Sequence, residues 1–580
     1  MLWDLLLGII SLVLDVLSHY RTKFRGRRSS VKHLKQSLRQ AKDFAQYEDI
    51  ALRLDYDIGN DVWRRNPQSR KYDHRVIADR LVQLRRARTK EDIPVLLDLL
   101  RSGLLRNLAN ISDKQLYNRS YLGTKVLIQD YVTEVMNCLE FIRVAPPNSS
   151  PFLSVEKKLQ FFKDTRHSYG LSALVLQGGA SFGMFHLGIA RALWEQGLIP
   201  TVISGTAIGA IIAALICIFP DEELSPLLYE DTINLNAFDK RGSSGQTLRK
   251  IRRFFREGYI LDISVLGELC RDNIGDITFE EAFMKTNRVL NITINSTSAN
   301  SVPSTLNYLT APNVLIWTAA LASNALPGLY EPVELLCKDT AGTIIPWAPY
   351  GGVRFTRASD AETPFERLSE LFNVNNFIIS QARPYLAPLL SSPLHRHRRR
   401  GWYLKFLKVL GLEISHRLSQ LCLVGAVPAS AESYIKSVTT TQSEITLVPS
   451  LAFKDFLKLF RHPTYDEIHY WINKGERATW PAMSLLKVRG LVEITLRECY
   501  EALRHEEKLS SHGRKLTGTR LASSSRGREK AAPELSPTTP NLGARRSRKR
   551  SRTMDTTLAK LRPSSTDPRF FLRGSTSDGK

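Results

Sequence analysis

Residues 174–218 read LVLQGGASFGMFHLGIARALWEQGLIPTVISGTAIGAIIAALICI. Two short apolar runs, 174–177 and 201–204, each stop at a glycine-rich turn, and each turn opens a helical pattern. The first helix is expected over 184–196. The second, over 208–218, is apolar almost all round, the mark of a helix buried on every side. VLNITI at 289–294 and NFIIS at 376–380 repeat the strand signature. Continuous apolar strands separated by helices predict a mainly parallel sheet covered on both faces. The right-handed crossover rule then leaves an open α/β/α sandwich.

The two turns carry the chemistry. Gly178-Gly179-Ala180-Ser181-Phe182-Gly183 lies between a strand and a helix. Its small residues let backbone N–H groups converge at a helix N-terminus, a setting that binds phosphate or stabilises an oxyanion. The GxGxxG spacing is not matched and no suitably placed acid follows the next strand, which argues against a dinucleotide site. Close packing of strand on helix would ask for the same small residues. The second turn, Gly205-Thr206-Ala207-Ile208-Gly209, has the frame of a nucleophile elbow, G-x-S-x-G. Its apex should present a serine. Ala207 stands there instead, and a methyl group forms no acyl-enzyme. Thr206 and Ser204 flank the apex and are expected to point elsewhere on so sharp a turn.

Outside this core the chain changes character. Residues 1–18, MLWDLLLGIISLVLDVLS, make an apolar helix with one polar stripe through Asp4, Gly8, Ser11, Asp15 and Ser18. Basic residues from Arg21 to Arg28 follow. The longest uncharged run, 5–14, is too short to span a bilayer, so 1–30 reads as an in-plane membrane anchor with a basic flank. Packing of that helix on its own domain is the plainer alternative. Residues 32–145 are helical by periodicity, at 76–87, 92–104 and 121–142, and Pro146, Pro147 and Pro151 close them off. The α/β core is expected over 170–385 and a helical extension over 386–504. A basic, disordered tail rich in Ser, Thr, Pro and Arg is expected over 505–580.

The 580 residues hold 81 Lys+Arg against 57 Asp+Glu, a net +24. The tail alone has 18 Lys/Arg against 7 Asp/Glu. Another basic cluster, His395-Arg396-His397-Arg398-Arg399-Arg400, runs into WYLKFLKVLGLEI, which suits anionic lipid and equally a solvated loop before a core helix. Nucleic acid is not the expected partner, because the tail has no aromatic interleaving beyond Phe570-Phe571. A basic-tail nucleic-acid-binding protein is kept as an alternative. Cys138, Cys217, Cys270, Cys337, Cys422 and Cys499 fall in no CxxC or metal-ligand spacing. They read as reduced core cysteines, with no metal and no cofactor expected.

Three stretches of the core resemble the patatin-like acyl hydrolases: LVLQGGASFGMFHLGIARALWEQGLIPTVISG, LNYLTAPNVLIWTAALASNALPG and RLSELFNVNNFIISQ. Within them the likeness is to fungal and plant triacylglycerol lipases related to the yeast lipid-droplet lipases. GNDVWRRNPQSRKYDHRVIADRL and SGLLRNLANISDKQLYNRSYLGTK resemble that subgroup's lipase N-terminal domain, so the likeness runs from about Tyr47 to Arg504. The resemblance implies a patatin-like α/β/α sandwich, a Ser–Asp dyad without histidine, and the 178–183 loop as oxyanion hole. The family writes that loop with Arg or Lys. Ser181 and Phe182 here leave only backbone donors.

The family also places Asp-Gly after a Pro-Trp-x-Pro-x-Gly stretch and before a proline preceding Arg-Leu-Ser. Counting forward from Gly351 and back from Pro364 puts that Asp on Thr356 and its Gly on Arg357. Asp360 lies near but out of register. Nucleophile and carboxylate are thus both expected to be missing, at Ala207 and Thr356. The resulting expectation is a lipase-family protein of neutral-lipid and phospholipid metabolism that is a lipid-surface-binding or regulatory pseudoenzyme. It would hold neutral-lipid or phospholipid acyl chains, with an active lipase as a further partner. Its place would be cytoplasmic, at a lipid droplet or endoplasmic reticulum membrane. The alternative is an active triacylglycerol lipase or lysophospholipid acyltransferase using non-standard residues. His74 and Asp79 match the His-x4-Asp pattern of glycerolipid acyltransferases, although five residues on a helix lie well off one face.

Overall fold

The computed structural model describes residues 30–146, 154–229, 262–296, 304–326, 329–347, 354–357, 364–383, 445–449 and 465–524, with single positions between them. The 1–18 helix and its basic flank, Gly351, Asp360, the 395–400 cluster, Cys422 and the chain beyond 524 lie outside the described residues. Among those described, no helix is long and apolar enough to cross a membrane.

The N-terminal region is helical as expected, and most of its helices start on a side-chain cap. Helix α1 (Phe44–Ile58) begins after Asp43, whose carboxylate accepts the Gln46 N–H at 2.8 Å. Asp73 and Asp92 cap α2 (His74–Thr89) and α3 (Ile93–Gly103) in the same way. Helix α4 (Val126–Val144) starts later than its apolar pattern does. The reason is Asp55, whose carboxylate takes the N–H groups of Tyr121 and Leu122 at 2.8–3.0 Å and holds that stretch out of the helix. Ser154 caps α5 (Val155–Tyr169).

Beyond α5 comes the α/β core. Strand β1 (Leu171–Gln177) leads to α6 (Phe185–Glu195), then β2 (Val202–Thr206) to α7 (Ile208–Ile218). β3 (Val289–Ser296) and β4 (Ser304–Leu306) precede α8 (Ile316–Asn324). A hairpin of β5 (Leu336–Lys338) and β6 (Ile344–Pro346) is followed by β7 (Phe355–Arg357), α9 (Phe365–Phe372) and β8 (Val374–Gln381). The main sheet runs β4-β3-β2-β1-β8-β9, with β9 at Ile445–Leu447 and β7 also on β3. Its centre is parallel; β4 and β7 run antiparallel to β3. The chain leaves β1 toward β2 and β3 and later returns on its other side as β8, so the strand order reverses between β1 and β8.

Alternation along the strands divides the core. Leu174, Leu176, Ile203 and Ile292 point into the larger cluster with α6 and α7, and Gly209–Ile218 is buried throughout. Ala173, Val175, Val202, Phe377 and Ile379 point the other way, against Leu368 of α9. The sandwich read from the sequence is the one observed.

The carboxyl-terminal part departs from expectation in two places. The helical reading of 386–504 contains a strand, β9, paired in parallel with β8 through Ile378↔Ile445. Three residues are too few to show a period, and only the open edge of β8 makes them a strand. Helices α10 (Tyr465–Thr479) and α11 (Met483–Ser524) follow. Helix α11 runs on into the stretch read as disordered tail. Its first half is packed on α4 and α5, and extending a formed helix is far easier than starting one. Arg106 fastens these parts together. Its guanidinium donates to Gly170 O (3.0 Å), Ser172 Oγ (3.1 Å), Arg489 O (2.6 Å) and Glu493 Oε2 (3.1 Å).

Candidate functional site

The turns after β1 and β2 lie side by side at the carboxyl ends of the strands. Ala207 sits at the apex of the second with φ 55° and ψ −129°. That backbone suits glycine and is strained for any residue with a Cβ. The turn is held from below by contacts that exclude side chains. A Cβ on Gly205 would lie 2.4 Å from Gly209 O, and one on Gly209 would lie 2.3 Å from Leu176 O. The apex is fixed from the side by α8. Ala207 N–H donates to Ser323 Oγ at 3.1 Å, and Asn324 Nδ2 donates to Ala207 O at 2.9 Å. Every polar group of the apex residue has a partner, and its side chain is a methyl.

The flanking hydroxyls behave as the sharp turn requires. Thr206 Oγ1 accepts the Gly178 N–H at 3.3 Å, tying the two turns together. Ser204 is wholly buried on β2. Neither stands at the apex.

The first turn folds as a short 3₁₀ segment, Ala180–Met184, after Gly178 and Gly179 at φ 75° and 145°. Gly178 O accepts the Gly209 N–H at 3.3 Å. A Cβ on Gly183 would meet Ile208 Cγ2 at 2.3 Å, so the turns are in direct contact. Phe182 is a core residue, its ring 4.8 Å from that of Trp471. A charged side chain comes to this loop from far along the sequence. Arg383, just past β8, crosses Gly178, with Cγ 2.5 Å from where a Cβ would be.

Thr356 reaches the same region through β7. Ile294 of β3 pairs with Ser304 of β4 and with Arg357 of β7. A strand residue has one neighbour on each edge, so β7 occupies the edge that β2 leaves when it turns at the elbow. The Arg357 N–H donates to Ala325 O at 3.0 Å, next to the Asn324 that holds Ala207. The two positions picked from the sequence are therefore joined through consecutive residues at the end of α8. Thr356 is buried and carries no acid.

One buried pair escaped the sequence reading. His186 Nδ1 is hydrogen-bonded to Ser380 Oγ, and Nε2 lies 3.4 Å from Gly178 O. The carbonyl acceptor places the proton on Nε2, so Nδ1 accepts from the serine. Burial pushes the imidazole down to about 4, which keeps it neutral. This is the order of a nucleophile–base pair, but both residues are 0% exposed. The pair pins the first turn to β8. His74 opens α2 beside its Asp73 cap, five positions from Asp79. Cys138, Cys217, Cys270, Cys337 and Cys499 are free and buried, and burial pushes each thiol upward. No group of His, Cys, Asp or Glu suited to a metal occurs among the described residues.

A family model for patatin-like phospholipases matches residues 174–354, which span both turns. Triacylglycerol lipase ptl1 of Schizosaccharomyces pombe is 39% identical over 79% of this chain and 83% of its own. The chain belongs to the patatin family. This patatin-family protein is triacylglycerol-lipase-like along most of its length, and the substrates of lipases are lipids. Triacylglycerol lipase ptl3 of the same yeast is 30% identical over 82% of this chain and 98% of its own. Triacylglycerol lipase 4 of Saccharomyces cerevisiae is 33% identical over 77% of this chain and 50% of its own. A second family model, a domain of unknown function (DUF3336), matches residues 24–167, the helical region before β1.

Proposed function

We propose that this patatin-family protein binds lipid without hydrolysing it. The observation that carries the reading is the apex of the second turn. The strained backbone of a nucleophile elbow is kept at Ala207, with Gly205 and Gly209 beneath it, but no nucleophile stands there. Thr356, which reaches the elbow through β7, offers no carboxylate to act as a base. The neighbouring hydroxyls do not replace the missing one. Ser380 is paired in the core, and Thr206 is turned to Gly178. On this reading the chain is a pseudoenzyme that docks at a lipid-droplet or membrane surface, where it retains lipid or an active lipase. The apolar 1–18 segment, its basic flank and the 395–400 cluster support that docking from sequence alone.

The test is hydrolysis of triacylglycerol and phospholipid by the purified full chain, beside the double substitution Ala207→Ser with Thr356→Asp. The natural chain should release no fatty acid above a protein-free control, and the double variant should gain release. Turnover by the natural chain that survives further change at Ala207 would overturn the reading.

A further inference from the structure

The helical region before β1 has a surface cavity of about 490 Å³. It opens between the short helix Asn60–Arg65, the loop that follows as far as Arg70, and Arg119. Its lining holds two guanidinium groups and no carboxylate. One wall is the Trp63 ring, with Arg119 Cζ 5.2 Å and Lys125 Nζ 4.2 Å from its centroid. Lys125 is a buried residue. Its ammonium donates to Trp63 O (2.8 Å), Asn66 O (2.6 Å) and Gln68 O (3.3 Å), so all three of its hydrogens are spent on carbonyls. The loop is shaped around a buried cation.

That cation lacks the usual companion. Buried charges are normally paired with an opposite charge. Among the described residues no carboxylate pairs with Lys125 or Arg119. Burial, and then the like charge of Arg119, push the Lys125 ammonium below the ordinary lysine pKa. The Trp63 ring face offsets part of both charges but carries no net charge of its own. An anion in the cavity would supply it. Two further observations say what carries that anion. Asn66, Gln68 and Ser69 line the cavity beside the cations, which suits a phosphate with polar groups attached. The corner around it is apolar and open to solvent, with Tyr56 74%, Ile58 37% and Val62 68% exposed. Such side chains beside a cationic site fit an anion set in an apolar surface. Ser30 Oγ donates to Asp57 Oδ2 at 3.2 Å, between Tyr56 and Ile58 in the chain. The apolar and basic sequence 1–29 therefore joins the described chain at this corner.

We propose that this cavity holds the phosphate of an anionic phospholipid headgroup in a membrane surface, with Arg70 and Arg119 donating to its oxygens. The inference rests on the docking part of the reading above and not on the loss of catalysis. It is tested with the full chain by co-sedimentation with vesicles of phosphatidylcholine alone and of equal parts phosphatidylcholine and phosphatidylserine. The natural chain should favour the second. Arg70→Gln with Arg119→Gln should bind those vesicles about thirtyfold more weakly. Lys90→Gln with Lys163→Gln removes two exposed cations outside the cavity lining and should bind as the natural chain does. Arg70→Lys with Arg119→Lys keeps the charge, loses the fork that fits a phosphate, and should bind about fivefold more weakly. This Lys pair also repeats the test should the Gln pair fail to fold. Full binding by the Lys pair, or an equal loss in the Lys90 and Lys163 control, would mean diffuse attraction and overturn the proposal. Glycerophosphoserine in solution binding as tightly as the vesicles would mean a soluble phosphate ester and overturn it too. Vesicle binding that survives the Gln pair would sink this site alone. No vesicle binding by the natural chain would sink the docking reading with it.

Discussion

The turn after β1 and the turn after β2 are in contact, Gly183 against Ile208 and Gly209 N–H on Gly178 O, yet they differ in what they need from side chains. The first works through its backbone. Its glycines at φ 75° and 145° set the path, and His186 with Ser380 pins it from below. The second turn exists, in an active hydrolase of this shape, to lift one side chain out of the sheet. Here it keeps the path and lacks the side chain. Backbone geometry is tied to the packing of the whole core, so losing it would cost the fold. A nucleophile is tied to nothing but the reaction, so its loss leaves the fold intact. That asymmetry is why the glycine frame and the strain at Ala207 can remain where the serine oxygen of an elbow does not.

The strongest way to break this comparison is to put a methyl where the second turn cannot take one. In Gly205→Ala the new Cβ meets Gly209 O at 2.4 Å and Ala210 Cα at 2.5 Å, both backbone. The expected loss of unfolding free energy is about 3 kcal/mol by urea titration. In Gly183→Ala the obstacle is Ile208, whose Cγ2 at 2.3 Å can rotate but whose Cβ at 2.6 Å moves only with the start of α7, and the loss should be smaller, about 2 kcal/mol. Equal losses would mean that the two turns are not held by different means.

Protonation separates the turns next. His186 sits at about 4 in the folded chain against 6.5 for the free group. The unfolded chain therefore binds a proton that the folded chain refuses between those values. Stability from this residue is complete above about pH 6.5 and is lost as pH falls toward 4, at no more than about 1.4 kcal/mol per pH unit. His186→Gln should flatten that part of the stability profile, read by chemical denaturation from pH 7 to pH 4. An unchanged slope would show that the fold does not hold His186 neutral.

The sequence disclosed the parts with local signals and hid those made by distant pairing. The strands at 174–177 and 201–204, the buried helix and the elbow frame all lie within residues 174–218. Thr356 could be placed only by counting between flanking motifs, because β7 is three residues long and becomes a strand through Asn295↔Thr356. β9 was hidden for the same reason. The His186–Ser380 pair and the Arg383 stem over Gly178 join residues that no window spans.

The gentlest test acts on the apex alone. At φ 55° and ψ −129°, Ala207 pays for a Cβ that performs no chemistry in this chain. Strain of this kind is worth about 1–3 kcal/mol, and glycine loses roughly 0.5–1 kcal/mol in chain entropy relative to alanine. Ala207→Gly should therefore gain about 1 kcal/mol in unfolding free energy, a sign opposite to that of most substitutions. The bonds to Ser323 and Asn324 use only the backbone of residue 207 and survive the change. A gain would show that the turn is held in a nucleophile's geometry by its surroundings and not by its own residue. A loss would place the Ala207 methyl among the groups that the core needs, and the contrast between the two turns would fail at the position where it is sharpest.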